Sequence, residues 1–399
     1  MSCTSFFFRH PFRAALLSLL LAACGTPSKP PACLPATVPA AVAPAVPVAA
    51  PPFAVSKWEM LPDWQTVDLQ QSWAAFQQSC HGLKSKPEWL AVCARAAELT
   101  QTDNAALRAF FEGNFVPYQV FNPDGTSHGL ITGYYEPRLV GSRVRTERFK
   151  YPLYAAPDDL LTIDMAELYP QFKGMRLRGR LEGKRIVPYF SRAEIDGGKG
   201  DVRGRVLFWV EDAIDLFFLQ IQGSGRIALP DGSLVKVGYA DQNGHPYVSI
   251  GKKLIEMGEL TADQASMQGI KNWAAKNPDK LDALLEQNPS YVFFKELPGS
   301  LSAPLGALGV PLTGEYSIAI DPRTIPLGAP VFLSTTYPNQ DAPLNRLMLA
   351  QDTGGAIRGA VRADFFWGFG DQAGLQAGRM KQRGQLWVLF PKGAEPALD

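Results

Sequence analysis

From residue 289 to the C-terminus, short apolar and β-branched runs alternate with glycine and proline. Strands are expected over 291–295, 316–321, 331–333, 346–352, 361–366 and 386–390. About six strands punctuated in this way describe a small barrel rather than a parallel sheet of βαβ units, whose strands would be separated by helices. Three aspartates close strands or turns within the pattern: Asp321, Asp352 and Asp364.

Two of these carboxylates stand twelve residues apart in contrasting surroundings. Asp352 opens the glycine turn Asp352-Thr353-Gly354-Gly355, and Asp364 precedes Phe365-Phe366-Trp367. A carboxylate beside large apolar side chains is partly desolvated, which raises its pKa toward the range of a general acid working near neutrality. Taken alone, the same residues also fit a hairpin whose aspartates bond neighbouring backbone amides. The string Asp352-Thr353-Gly354 invites an aspartic peptidase reading. That chemistry needs two carboxylates sharing a proton, each on its own such loop, and the chain holds a single copy. The peptidase reading is rejected.

The balance of 39 basic to 38 acidic residues gives the chain no field that would attract nucleic acid. Four scattered histidines and the lack of CxxC or HExxH motifs give no expected metal site. An aromatic content of 11% suits real cores and also a groove that stacks sugar rings.

The N-terminus reads as a processing signal. Arg9 and Arg13 precede an apolar run over 14–23, too short for a membrane span of ~20 residues, and small residues follow at Ala22-Ala23-Cys24-Gly25. Leu21-Ala22-Ala23-Cys24 resembles the bacterial lipoprotein box, in which the cysteine becomes the lipidated first residue. Gly25 after it resembles outer-membrane sorting. Residues 25–56 are mostly Pro, Ala and Val and read as an extended tether, with a reach on the order of 90 Å. Cys3 leaves with the signal, and Cys33 lies in the tether.

Helices are expected from Asp68 as N-cap through Cys80, from Pro87 to about Leu99, and over 103–111. Cys80 and Cys93 fall in the first two and can pair in an exported protein, or stay as buried thiols. Strands are expected at 116–121 and 129–137, with Asn122-Pro123-Asp124-Gly125 as a hairpin turn. Further strands are expected at 206–210 and 215–222, and a turn at Pro230-Asp231-Gly232. Gly223-Ser224-Gly225 belongs to a loose dinucleotide fingerprint but runs straight into this hairpin, so it reads as a glycine-rich strand end. Residues 250–287 are expected to be helical, with Thr261 and Gln264 as a capping box.

Several stretches together resemble one family. They are Gly133-Tyr134-Tyr135-Glu136-Pro137, the run 215–225, the polar loop 238–247, the run 288–294, and the three-aspartate segment from about 319 to 391. In this order they are similar to the membrane-bound lytic murein transglycosylase A family. The resemblance implies an α+β fold, mainly β with helices. A double-psi β-barrel built from 57–139 and 298–399 would carry an inserted β-rich domain at 140–297, with the substrate groove between them. Residues 1–24 would be the signal ending at the lipidated cysteine, and 25–56 the tether.

The implied activity is that of a lyase. It would cleave the β-1,4 bond between N-acetylmuramic acid and N-acetylglucosamine with no cofactor, leaving a 1,6-anhydro end. Asp364 matches the family's acid/base, Asp352 a supporting aspartate and Asp321 a structural one. Tyr134, Gln222, Ser224 and Gln242 are the implied groove residues, peptidoglycan strands the implied partner, and Cys24 the implied outer-membrane anchor facing the periplasm. Other classes consistent with the residues are a non-catalytic peptidoglycan-binding lipoprotein and a water-using muramidase.

Overall fold

The computed structural model describes residues 52–394 apart from 173, 174, 176, 203 and 204. The signal, Cys24, Cys33 and the tether up to residue 51 lie outside the described residues. The chain runs from β1 (Phe53–Val55) into helices α1 (Gln70–Gly82), α2 (Pro87–Glu98) and α3 (Asn104–Asn114). Strands β2 (Phe115–Val120), β3 (Gly129–Glu136), β4 (Arg138–Ser142), β5 (Tyr151–Tyr154), β6 (Leu161–Thr162), β7 (Arg178–Glu182) and β8 (Arg185–Pro188) follow. Next come α4 (Arg192–Asp196), β9 (Val206–Val210), α5 (Ala213–Gln222), β10 (Ser224–Ala228) and β11 (Leu234–Gln242). Helices α6 (Ile250–Glu256), α7 (Met267–Lys276) and α8 (Leu281–Leu285) lead to β12 (Val292–Glu296). The remainder is β13 (Ser317–Ile320), β14 (Pro330–Thr336), β15 (Pro343–Thr353), β16 (Arg362–Phe369), α9 (Asp371–Arg379) and β17 (Lys381–Pro391).

Six strands in the order β17-β14-β15-β13-β16-β3 form a ring that β17 closes by pairing with β3. This is the expected small barrel, with one exchange. The strand expected at 291–295 is β12, which joins a second sheet in the order β12-β11-β10-β4-β9-β5, and β3 takes the sixth place in the ring. Phe293 and Phe294 are both buried there, so β12 lacks the polar-out alternation of a one-sided strand. A three-stranded sheet, β6-β7-β8, completes the β structure among the described residues.

The fold class is therefore α+β, a barrel assembled from both ends of the chain around an inserted β-rich part. At the crossing, β3 passes through Pro137 into β4. The buried Glu136 carboxylate there accepts from Arg226 Nε and Nη2 of β10 at 3.0 and 2.8 Å.

Helices α1–α3 cover one side of the barrel. Trp73, Phe76, Phe110, Phe111 and Phe115 form an aromatic cluster continuous with Phe332, Leu347 and Leu349 of the strands. Burying such rings contributes about 2–3 kcal/mol each, which fixes these helices far more firmly than propensity does. A disulfide joins Cys80 of α1 to Cys93 of α2. Gln351 of β15 is fully buried, and its Nε2 donates to Ala75 O at 2.9 Å and Ser79 Oγ at 3.0 Å. The strand that carries Asp352 is thereby tied to α1.

Several local expectations need correction. The run 215–222 makes up most of helix α5 and is not a strand. Asp212 caps the helix through the amides of Ile214 and Asp215, both at 2.8 Å, and Gly223 ends it at φ 77°. A continuous apolar run does not distinguish the two states by periodicity.

The Asn122–Gly125 turn does form, but β2 and β3 do not pair with each other. They pair with the two halves of the long strand β17. Residues 53–55, expected to end the tether, pair instead with the open edge of β2. Leu69 rather than Asp68 occupies the cap position of α1, although Asp68 still accepts the Gln70 amide at 3.1 Å. The region 250–287 is three short helices, and Thr261–Gln264 closes a turn before α7 rather than starting a helix.

Candidate functional site

The registers of four strands place Thr132, Asp364, Ala319 and Asp352 in one row. Asp364 of β16 lies opposite Thr132 of β3 in parallel register and opposite Ala319 of β13 in antiparallel register. Ala319 in turn lies opposite Asp352 of β15. The two aspartates are thus two strand spacings apart, roughly 10 Å between backbones, with the small Ala319 side chain between them.

Asp364 has one engaged and one open oxygen. The Thr132 hydroxyl donates to Oδ1 at 2.5 Å, and among the described residues no hydrogen bond reaches Oδ2. Arg362 Nη2 donates to Thr132 Oγ at 2.8 Å, which fixes that hydroxyl's own proton toward the carboxylate. Asp364 as a whole residue is half-buried. Burial raises its pKa above the ordinary aspartate value, and the Asp352 charge adds to the rise. The Thr132 bond and the Arg362 charge oppose it without cancelling it.

Asp352 is held differently. Its Oδ1 accepts the amides of Ala307 at 3.0 Å and Thr353 at 2.9 Å, and its Oδ2 accepts the Tyr134 hydroxyl at 3.0 Å. Burial first, then the charges of Asp352 and Asp364, push the Tyr134 phenol well above its usual pKa, so it remains a donor. Its ring packs on Phe366 at 5.0 Å, forming a small apolar floor with Leu312, Ala319 and Ile357.

Asp321 is fully buried at the end of β13. Burial would raise its pKa, but Arg323, bonding through Nε at 3.0 Å and Nη2 at 2.7 Å, and the Gly359 amide hold it below the ordinary value. It ties the 354–359 loop to its strand.

Of the groove candidates, Tyr134 meets Asp352 directly. Gln222 accepts the Tyr135 amide at 3.0 Å and so braces β3 from α5. Ser224 is buried at the start of β10, and Gln242 ends β11. Among the described residues neither bonds an aspartate of the row. Thr132, Arg362 and the Ala307 amide are site members that the sequence did not flag. Thr132 lies within the strand expected at 129–137, yet 232 positions separate it from Asp364. Groups of three or more His, Cys, Asp or Glu side chains able to hold a metal are absent among the described residues.

Family models match the chain as "MltA specific insert domain" over residues 130–295 and as "3D domain" over 316–390. The chain is 36% identical over 279 residues to membrane-bound lytic murein transglycosylase A of Escherichia coli (strain K12), covering 68% of each chain. Among solved structures, MltA from Neisseria gonorrhoeae is similar at 42% identity with a TM-score of 0.76, over 87% of this chain and 94% of that one. E. coli MltA with bound chitohexaose is similar at 31% identity with a TM-score of 0.63, over 85% and 94%.

Proposed function

The chain belongs to the membrane-bound lytic murein transglycosylase A family, and from that premise we propose that it cleaves peptidoglycan with the 6-hydroxyl of the muramoyl residue as nucleophile. The observation that carries this reading is the asymmetry of the two carboxyl groups. Asp364 has a raised pKa and an open oxygen, whereas both oxygens of Asp352 are engaged by three protein donors.

Protonated Asp364 donates its proton to the glycosidic oxygen as the bond from C1 to that oxygen breaks. The 6-hydroxyl oxygen then bonds to C1, and its proton returns to the Asp364 carboxylate. No water is consumed, and the residue ends in the state in which it began. Water-using glycosidases need a second carboxylate free to act on the sugar or on water. Asp352 is occupied in fixing Tyr134, and its negative charge helps Asp364 keep its proton. In this reading Asp321 is structural, and the glycan strand lies between the barrel and the inserted β-rich part, past Tyr134. Chitohexaose in the E. coli relative is consistent with a site for N-acetylated sugar chains. Mass spectrometry of a sacculus digest tests the proposal: 1,6-anhydromuramic ends support it, and reducing muramic ends would refute it.

The name of the relatives includes "membrane-bound", and no helix of the described residues is long and apolar enough to cross a membrane. We attribute attachment to lipidated Cys24 in the outer membrane, with the tether holding residues 57–399 on the periplasmic side. Cys24→Ala is expected to shift the protein from the membrane to the soluble fraction. Unchanged membrane fractionation would contradict the anchor.

A further inference from the structure

A cleft of about 460 Å³ lies between α9, the end of β16 and the turn joining β14 to β15. It is lined by Glu315, Tyr337, Gln340, Trp367, Phe369, Gln372 and Gln376. It is separate from the row that holds Asp364. Along β16, Asp364 and Phe366 lie on the same face as the Tyr134 cluster, whereas Phe365 and Trp367 lie on the opposite face and belong to the main core.

Three features of the cleft point to one ligand chemistry. Among the described residues no hydrogen bond engages the side-chain amides of Gln340, Gln372 and Gln376. The last two are one helical turn apart on α9 and share a face. Two aromatic surfaces border these amides. Tyr337 and Trp367 stand 6.3 Å apart, and Phe369 is 39% exposed with the Arg226 guanidinium held 3.8 Å over its ring. Finally, the Glu315 carboxylate is answered by Arg346 at 2.9 Å, so the lining presents no uncompensated charge.

Free amides beside the partly exposed Tyr337 and Phe369 rings, without net charge, suit a neutral ligand rich in hydroxyl and acetamido groups. A peptide stem, with its carboxylates and amines, would call for opposite charges that the cleft lacks.

We propose that this cleft is a second glycan-binding site that grips a neighbouring stretch of the N-acetylated sugar chain while the Asp364 row acts on another. The proposal rests on peptidoglycan being the substrate. Two linked contacts to one sacculus raise retention well beyond either alone, so losing one is expected to lower it at least about tenfold.

The test uses the full-length protein with Asp364→Asn, so that the sacculus is not consumed. Binding is measured by co-sedimentation with purified sacculi and with peptide-stripped glycan strands. The double variant Gln372→Ala with Gln376→Ala, and separately Phe369→Ala, are compared with the parent. Both are expected to weaken binding to both materials about tenfold. In the background with Asp364 intact, they should leave turnover of a short soluble murein fragment within twofold. Unchanged binding would overturn the proposal. Equal loss of short-fragment turnover would too, because the cleft would then belong to the catalytic groove. Loss on intact sacculi but not on stripped strands would identify a peptide site instead. Failure of the catalytic proposal itself appears separately, as reducing ends or no product from the unmodified protein.

Discussion

Asp364→Asn is expected to lower release of anhydromuropeptides by roughly 10²–10⁴-fold while leaving the fold intact. The amide oxygen of asparagine still accepts the Thr132 hydroxyl now bonded to Oδ1 at 2.5 Å, so the row keeps its geometry and loses only the proton. The same change should raise stability at pH above the folded-state pKa of Asp364. Burial raises the Asp364 pKa in the folded state above its unfolded value, so its contribution to stability is fully present below the unfolded pKa. That contribution is lost as pH rises through the folded pKa, because the wild type must then hold a buried charge. The asparagine variant carries no such charge. Its advantage in thermal unfolding should therefore grow as pH rises through the folded-state pKa of Asp364 and vanish in acid. Wild-type activity should fall as pH rises through the same folded pKa. Near-normal product from the variant would remove Asp364 from the role of acid and base.

Gly133→Ala should destabilise the protein by about 1–3 kcal/mol, a fall of a few degrees in Tm, and lower activity with it. A Cβ at position 133 would lie 2.7 Å from Trp367 Nε1 and 2.8 Å from Ala377 Cα. The second of these is backbone of α9, which cannot swing aside as a flexible side chain can. Either α9 or β3 must therefore move. Thr132 and Tyr134 flank the glycine and hold Asp364 and Asp352 respectively, so a shift of β3 disturbs both carboxyl groups. Gly113→Ala is the matched control. Nothing lies within 4 Å of that Cβ and the residue is in helix α3, so this substitution should be neutral or slightly stabilising. Equal Tm and activity for the two variants would show that the contact at Gly133 is not a constraint.

Elements that depend on local chemistry were legible in the sequence. Pro87 opens α2, Asp103 caps α3 through the amides of Ala105 and Ala106, and Asp231 turns β10 into β11. What depends on long-range register was not. The residues that bring Asp364 to Thr132, or Asp352 to Tyr134, are more than 200 positions apart, and no periodicity encodes which strand lies beside which. For the same reason the Asn122–Gly125 turn suggested a hairpin. The pairing partner is β17, whose eleven residues are long enough to serve β2 and β3 in turn. Helix α5 resembles a buried strand in sequence because every face of it is apolar apart from a few polar positions, and the Asp212 cap carries the information that its periodicity lacks. The aspartates themselves were visible. Their unequal roles rest on hydrogen-bond partners that only the folded chain supplies.

In the proposed reaction the substrate attacks itself and Asp364 alone moves the proton. This is tested most directly by digesting purified sacculi with the full-length protein in water enriched in heavy oxygen and weighing the released ends. The expected products are muramic ends one water lighter than hydrolysis products and free of the heavy isotope. Reducing ends that carry the isotope would contradict it, because water and a second activating group would then have done the work assigned here to the 6-hydroxyl and Asp364.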